Sequence, residues 1–324
     1  MDLYSTETLE YTYIKDSTPK TPSKDHTKKS CSEPDNKTIE YIKHSDNIEN
    51  SSQDNIPDIN PPIYIHDDDD IMSSYIMKDT KYLPISNYMD CQTNINASMR
   101  AMLVDWLIYA HKDLSLHQRT LYITINTIDR FLSKSIISRE RLQLLGMIAM
   151  FTASKYEESE PPSLHKILEY AQNHYNKPDA IRMEQIILER IEFDFGVITS
   201  YDYLGYYFGN QKDTKLQEHI AMYLTELSMM DYEQMAFTPS TTACSSIILA
   251  NIISGHDVCT KVLDIFRKNE SDVLPCLELM SRYLKKISSQ MRNSKTKPLT
   301  AAIEKYRYSD KLGAARVCAN FTAQ

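Results

Sequence analysis

Glycine is scarce in this chain, with 6 in 324 residues, and no G-x-G-x-x-G or G-x-x-x-x-G-K-[ST] string occurs. Nucleotide-binding α/β folds, which cradle phosphates on glycine-rich backbone, are therefore disfavoured. H-E-x-x-H and G-x-S-x-G are missing too, so zinc-peptidase and nucleophile-elbow chemistry have no seat. The 6 cysteines, Cys31, Cys91, Cys244, Cys259, Cys276 and Cys318, form no C-x-x-C pair and have no histidine at ligand spacing. That pattern argues against zinc and for free thiols in a reducing compartment. No apolar run approaches the ~20 residues of a membrane span, and the start of the chain is unlike a secretory signal, so a soluble intracellular protein is expected. A net charge of -8 lacks the attraction on which nucleic-acid binding depends. His165 and His174 lie in helical segments without a patterned partner and read as structural or solvated. No catalytic group, metal or cofactor is expected.

What the chain does contain divides it unevenly. Residues 1–62 are rich in Ser, Thr, Asp, Asn and Lys with thinly spaced apolar side chains. Such a segment cannot bury enough apolar area to offset its ordering entropy, and it reads as a disordered regulatory tail. Thr18-Pro19 and Thr21-Pro22 have the form of proline-directed phosphorylation sites, or of a polar tail in which such pairs fall by chance. In residues 63–98 the run Asp67-Asp68-Asp69-Asp70 leads into Ile71, Met72, Tyr75 and Ile76, as a helix with acidic residues at its positive end would. Consecutive helical carboxylates point in different directions, so these four form no cation cage.

From Met99 onward, Met99, Met102, Leu103, Trp106, Leu107 and Ala110 recur at steps of three and four around the single tryptophan. This stripe opens a series of five helices, roughly 99–112, 116–133, 138–157, 163–171 and 178–193. A second series follows at about 200–209, 213–231, 239–254, 257–267 and 271–290. Ser138 and Thr238 are candidate caps, and Pro178 and Pro239 suit first turns. Asp129 and Asp231 each close a long helix, with Ser138 and Ser240 following at the same spacing, a self-similarity at an offset of ~100 residues. The expected fold class is all-α, with two five-helix units in tandem.

Several strings then occur in order: Met99-Arg100-Ala101-Met102-Leu103, Ile128-Asp129-Arg130-Phe131-Leu132, Leu142-Gln143-Leu144-Leu145-Gly146, Ala153-Ser154-Lys155-Tyr156-Glu157-Glu158, Pro161-Pro162 and Arg182-Met183-Glu184. Together they resemble the cyclin box, most closely that of B-type mitotic cyclins. The likeness continues through Leu224-Thr225-Glu226-Leu227, Asp231-Tyr232, Pro239-Ser240, Leu249-Ala250 and Lys305-Tyr306-Arg307-Tyr308-Ser309. It implies a first cyclin fold over 99–197, a second over 198–317, and a short tail at 318–324. It also implies a non-catalytic regulator of a cyclin-dependent kinase, acting at the G2/M transition in nucleus and cytoplasm. Mitotic cyclins carry a destruction box beginning with arginine, yet the first arginine here is Arg100, and no Lys-Glu-Asn triplet occurs.

The charged residues on apolar faces need partners. Arg100 in the stripe and Asp129 at the end of an apolar helix would each cost several kcal/mol if buried alone, so they are expected to pair, as the matching residues do in cyclins. Glu184 lies on the otherwise apolar line Ile181, Leu188, Ile191, and Lys155 follows a run of small residues. These two read either as an internal ion pair or, as the resemblance implies, as contacts to the kinase backbone. Tyr156, Ile71, Leu188, Phe193 and Phe195 would then add apolar contact, with core packing as the alternative. The resemblance also implies a docking patch for Arg-x-Leu motifs of substrates or inhibitors, made by Met99, Met102, Leu103, Trp106, Leu142 and Gln143. Tyr109 stands where A-type patches carry an acidic residue, leaving its ring face to meet the motif's arginine. An A-type S-phase role is the nearest alternative. A transcription initiation factor sharing the fold would bring a zinc ribbon and a basic surface, which this chain lacks.

Overall fold

The computed structural model describes residues 68–171, 174–209, 211, 213–256, 260–292 and 299–322. The tail over 1–62, with Thr18 and Thr21, lies outside them. Thirteen α-helices and no β-strand occur among the described residues. The first, α1 (Asp68–Lys78), begins at the acidic run. Next come α2 (Ala97–Asp113), α3 (Gln118–Lys134), α4 (Arg139–Glu157), α5 (Leu164–Tyr170) and α6 (Lys177–Arg190). The second series is α7 (Ser200–Gly209), α8 (Lys215–Met230), α9 (Pro239–Ile253), α10 (Thr260–Phe266) and α11 (Glu270–Arg292). The two arrays of five match the sequence reading to within a few residues at each end.

Local chemistry sets many of the helix starts. The side chains of Asn96, Ser163, Asn176 and Thr238 each accept a hydrogen bond from a backbone amide in the first turn of α2, α5, α6 and α9. Pro178 and Pro239 occupy first turns, where a missing N–H costs nothing. Ser138 stands at the N-cap of α4 but makes no capping bond. Each array wraps a nearly encased helix. In the first, α3 buries almost every residue from Thr120 to Ser133 against α4, α6 and α7. In the second, α9 is buried from Ser240 to Ala250, and its small Ser, Thr, Ala and Cys side chains let α8, α11 and α7 approach on all sides.

Polar side chains tie these segments together, Gln118 with Glu226 and Tyr122 with Thr225 joining α3 to α8 among them. Arg119 of α3 donates to Asp202 of α7 at 2.7 Å, to Glu157 at 2.6 Å and to the Val197 carbonyl at 3.0 Å. Arg100 of α2 reaches the Met229 carbonyl of α8 at 2.7 Å. Asp79, just past α1 and buried, accepts from the Ser240 amide at 3.0 Å, the Ser240 hydroxyl at 2.5 Å and Tyr203 Oη at 3.1 Å. Its carboxylate thus lies at the positive end of α9.

The carboxyl-terminal part differs from the sequence reading. Two further helices, α12 (Ala301–Tyr306) and α13 (Ala314–Phe321), pack on α8. Cys318 is fully buried, so residues from 318 to Phe321 close the second array instead of trailing from it. Gly313 permits the sharp entry to α13 because its φ of 62° lies in the left-handed region.

Candidate functional site

The carboxyl-terminal end of α4 and the outer face of α6 lie side by side and present a charged pair among apolar side chains. Lys155 Nζ and Glu184 Oε1 form an ion pair, with Lys155 half exposed and Glu184 more covered. Thr152 donates to the same Glu184 oxygen at 3.2 Å, and Lys155 Nζ stands 4.5 Å from the centre of the Phe151 ring. The cation thus has a carboxylate and an aromatic face beside it, both at the edge of solvent. The two readings of the pair left by the sequence meet here: the residues bond to each other and remain at the surface.

The apolar side chains around the pair are of two kinds. Tyr156, Ile181 and Phe193 are exposed, by 52%, 42% and 67%. Phe195 is buried, and Leu188 packs beside it against a small core of Tyr82, Ile123, Ala153, Ile191 and Val197. Tyr156 stacks on Phe195 with ring centroids 5.4 Å apart. Phe195 therefore supports the surface rather than forming it. Ile71 is 37% exposed and is carried on a different support, since Tyr75 of α1 meets Tyr203 of α7 edge-on and Ser73 accepts from Arg267 at 3.0 Å.

Phe193 owes its exposure to an unusual turn. Glu192 and Phe193 are both left-handed, with φ of 59° and 57°, which costs about 1 kcal/mol per residue. Arg130 of α3 holds the turn in place by donating to the carbonyls of Ile191 at 3.0 Å and Asp194 at 2.8 Å. Lys134 adds an ion pair to Glu192 at 2.8 Å. Neighbouring groups thus over-determine the strained turn, and it leaves the Phe193 ring in solvent. Sequence reasoning gave Arg130 and Thr152 no role. An arginine inside the apolar period of α3 was the available signal for the former.

The opening stripe on α2 divides by exposure. Met102 is 52% exposed, Met99, Trp106 and Gln143 are half-buried, and Tyr109 beside them is exposed. Leu103 and Leu142 are buried core, a correction to their place on an exposed patch. Leu103 fills the notch left by the missing side chain of Gly146, where an added Cβ would stand only 2.7 Å from its Cδ1. The surface part of the patch is therefore Met99, Met102, Trp106 and Gln143.

Arg100 and Asp129 form a buried, two-pronged pair, Nε to Oδ1 at 2.7 Å and Nη2 to Oδ2 at 2.6 Å. Tyr88 Oη donates to Oδ1 at 2.8 Å. Burial opposes the Arg100 charge, but the charge and hydrogen bonds of Asp129 outweigh it and raise the guanidinium pKa above its ordinary value. Burial, reinforced by Asp129, likewise keeps the Tyr88 phenol protonated. The group is a structural joint with nothing free to react. No cluster of side chains suited to a metal ion occurs among the described residues, and no helix among them is long and apolar enough to cross a membrane.

Two tandem five-helix arrays, with a charged pair on the first framed by aromatic side chains, define an all-helical protein of two repeated units. Residues 70–196 match the family described as Cyclin, N-terminal domain, and residues 198–320 match Cyclin, C-terminal domain. The chain belongs to the cyclin family. It is 35% identical over 195 residues to G2/mitotic-specific cyclin-2 of Medicago sativa, covering 60% of each chain. It is 37% identical over 209 residues to G2/mitotic-specific cyclin-A of Hydra viridissima, covering 63% of this chain and 50% of that one. Names of both B type and A type occur among its relatives. The chain spans about half to three fifths of the length of these curated relatives. A viral cyclin from herpesvirus saimiri shares the fold, with a TM-score of 0.60 at 14% identity over 66% of this chain and 96% of that one.

Proposed function

We propose that this protein is the non-catalytic regulatory subunit of a cyclin-dependent serine/threonine kinase, which it binds and activates at the G2/M transition. The observation that supports this most is the Lys155–Glu184 pair, held at the surface among exposed Tyr156, Ile181 and Phe193. An ammonium and a carboxylate side by side suit a partner's backbone, the first donating to carbonyl oxygens and the second accepting from amide N–H groups. The aromatic side chains supply contact area of the kind that anchors interfaces.

A protein kinase needs its β3 lysine paired with a glutamate on its αC helix, and the position of that helix controls the pair. A partner that binds only the inward position shifts the kinase population without doing chemistry. Taking the kinase from ~1% to ~99% competent requires a preference of about 5.5 kcal/mol. An interface of more than ~2,000 Å² is of the size that can supply it. ATP and magnesium belong to the kinase. Met99, Met102, Trp106 and Gln143 would recruit substrates or inhibitors with Arg-x-Leu motifs, Leu103 and Leu142 supporting them from beneath. An A-type, S-phase role is the second reading, favoured by relatives bearing A-type names.

Co-purification with a cyclin-dependent kinase tests the reading. The double substitution Lys155→Ala and Glu184→Ala is expected to weaken binding by at least about tenfold, as loss of charged interface contacts does. The melting temperature should barely move, because an exposed ion pair contributes at most about 1 kcal/mol to folding. Undiminished kinase binding would remove the pair from the interface.

A further inference from the structure

We infer that the pocket between α12 and α13 is a docking site for a segment of a partner protein that carries a phosphorylated serine or threonine. The pocket, of about 380 Å³, is lined by buried Ile303 and Ala315 and, nearer to solvent, by Arg307, Tyr308, Arg316 and Asn320. No acidic side chain lines it. Its polar side chains all offer hydrogen-bond donors: two guanidinium forks, a phenol and a carboxamide. The turn between the helices brings them together. Arg307 caps the end of α12, the amides of Lys311 and Gly313 both donate to the Tyr308 carbonyl, at 3.2 and 3.0 Å, and Arg316 follows in the first turn of α13.

The cations at this pocket are incompletely matched. Arg316 is exposed and has no acidic partner among the described residues. Arg307 has Glu304 alone, one turn back at 3.2 Å, and both side chains are more than two fifths exposed, a pairing that yields readily to a stronger anion. Lys112 at the end of α2 adds a third cation, its Nζ 6.0 Å from the centre of the Tyr308 ring. Asp310 and Lys311 on the turn offset one another. Positive charge therefore gathers here in a chain whose net charge is -8. The donors select among anions. A carboxylate brings one charge and two oxygens, which a single guanidinium fork satisfies. A phosphoryl group brings about -1.5 to -2 charges and three acceptor oxygens, enough for both forks and a neutral donor. A nucleic-acid backbone or an anionic membrane is held by a long run of cations, and the negative net charge of this chain opposes both. A single phosphate on a peptide suits the pocket. Tyr308 and Leu312, exposed by 53% and 50% on the same turn, give contact area to the residues that flank it.

A fluorescent peptide mixture with a central phosphothreonine and randomised flanks, titrated against the full chain by anisotropy, tests the site. Saturable binding with a Kd on the order of 0.1 mM is expected, weakening several-fold as salt is raised. The same mixture with unmodified threonine should bind at least about tenfold more weakly, and inorganic phosphate should displace the phosphopeptides only at tenfold or greater excess over them. Arg307→Ala and Arg316→Ala should each lose about tenfold in affinity, as removal of a charged hydrogen-bonding partner does. Both should melt within about 2 °C of the parent, since neither removes a buried interaction. Arg316→Ala decides the matter if Arg307→Ala does not fold. Equal binding of the unmodified mixture, undiminished binding in either folded variant, or no saturable binding would each overturn the site. So would displacement by equimolar phosphate, which marks a site for the free ion, or recruitment to phosphatidylserine vesicles that depends on Arg307 and Arg316 in place of phosphopeptide binding.

Discussion

Arg100–Asp129 in the first array and Lys305–Glu226 at the second are both buried ion pairs, completed in opposite ways. Asp129 uses both oxygens, one shared by Arg100 Nε and Tyr88 and the other taken by Arg100 Nη2. Glu226 loads a single oxygen with Lys305 at 2.7 Å, Tyr306 Oη at 2.6 Å and Gln118 Nε2 at 2.5 Å, while Oε2 has no partner. The planar guanidinium fork spreads its bonds over a carboxylate, whereas an ammonium is a point charge that gathers donors around one atom. The first pair is a finished joint that also grips α8 through the Met229 carbonyl. The second is an incomplete network, and it stands close enough to a buried histidine, His111, for Lys305 to depress that group's pKa.

The largest expected effect tests that contrast directly. Asp129→Ala strands the Arg100 charge in the core and should cost about 3–5 kcal/mol, read from the shift of the urea midpoint. Lys305→Met should cost less, about 2–3 kcal/mol, because Glu226 keeps its hydrogen bonds from Tyr306 and Gln118. Adding Glu226→Leu to Lys305→Met should recover only part of that loss, because it leaves the buried Tyr306 hydroxyl without its partner. Arg100→Met with Asp129→Leu should recover little, since it strips the Met229 carbonyl and Tyr88 of their partners. Equal recovery in the two double variants would erase the distinction between the pairs.

The same contrast explains what the sequence made legible. Arg100 and Asp129 each broke an apolar helical period, so burial and pairing followed from charge alone. Glu226 and Lys305 lie 79 positions apart, and no periodicity links α8 to a helix of 6 residues such as α12. The latter is too short to display a period, and it went unread for that reason. The ten central helices were readable because apolar spacing, the Thr238 cap and prolines in first turns agreed with one another. Periodicity reports that one side of a helix is covered without saying what covers it. Leu103 was therefore assigned to a surface, although the gap at Gly146 on a neighbouring helix draws it into the core. Glu184 stood out for the same reason as Arg100, as a charge on an apolar line, and Lys155 as a cation after a run of small residues. Their joining, and the left-handed turn that exposes Phe193, depend on the packing of α3, α4 and α6 together.

The smallest expected effect separates the pairs by pH. His111 is buried, donates through Nε2 to the His117 carbonyl at 2.9 Å and has no partner at Nδ1. Burial, and after it the nearby Lys305 charge, push its pKa from 6.5 down to about 4. The unfolded chain takes up this proton near pH 6.5, and the folded protein does so only near pH 4. Between those values the unfolded state binds more protons, so stability must fall as pH falls through this window and be fully present above it. The part owed to His111 amounts to about 3 kcal/mol at most. His111→Gln retains a donor for the His117 carbonyl and cannot titrate. Urea midpoints of the variant and the parent, measured from pH 7 to pH 4, should therefore diverge, with the variant losing less stability. In the Lys305→Met background the His111 pKa should rise and the divergence shrink, because one of the two opposing influences is gone. Parallel curves for variant and parent would assign the acid sensitivity to other groups. They would leave the Glu226 network no more responsive to pH than the Arg100–Asp129 joint.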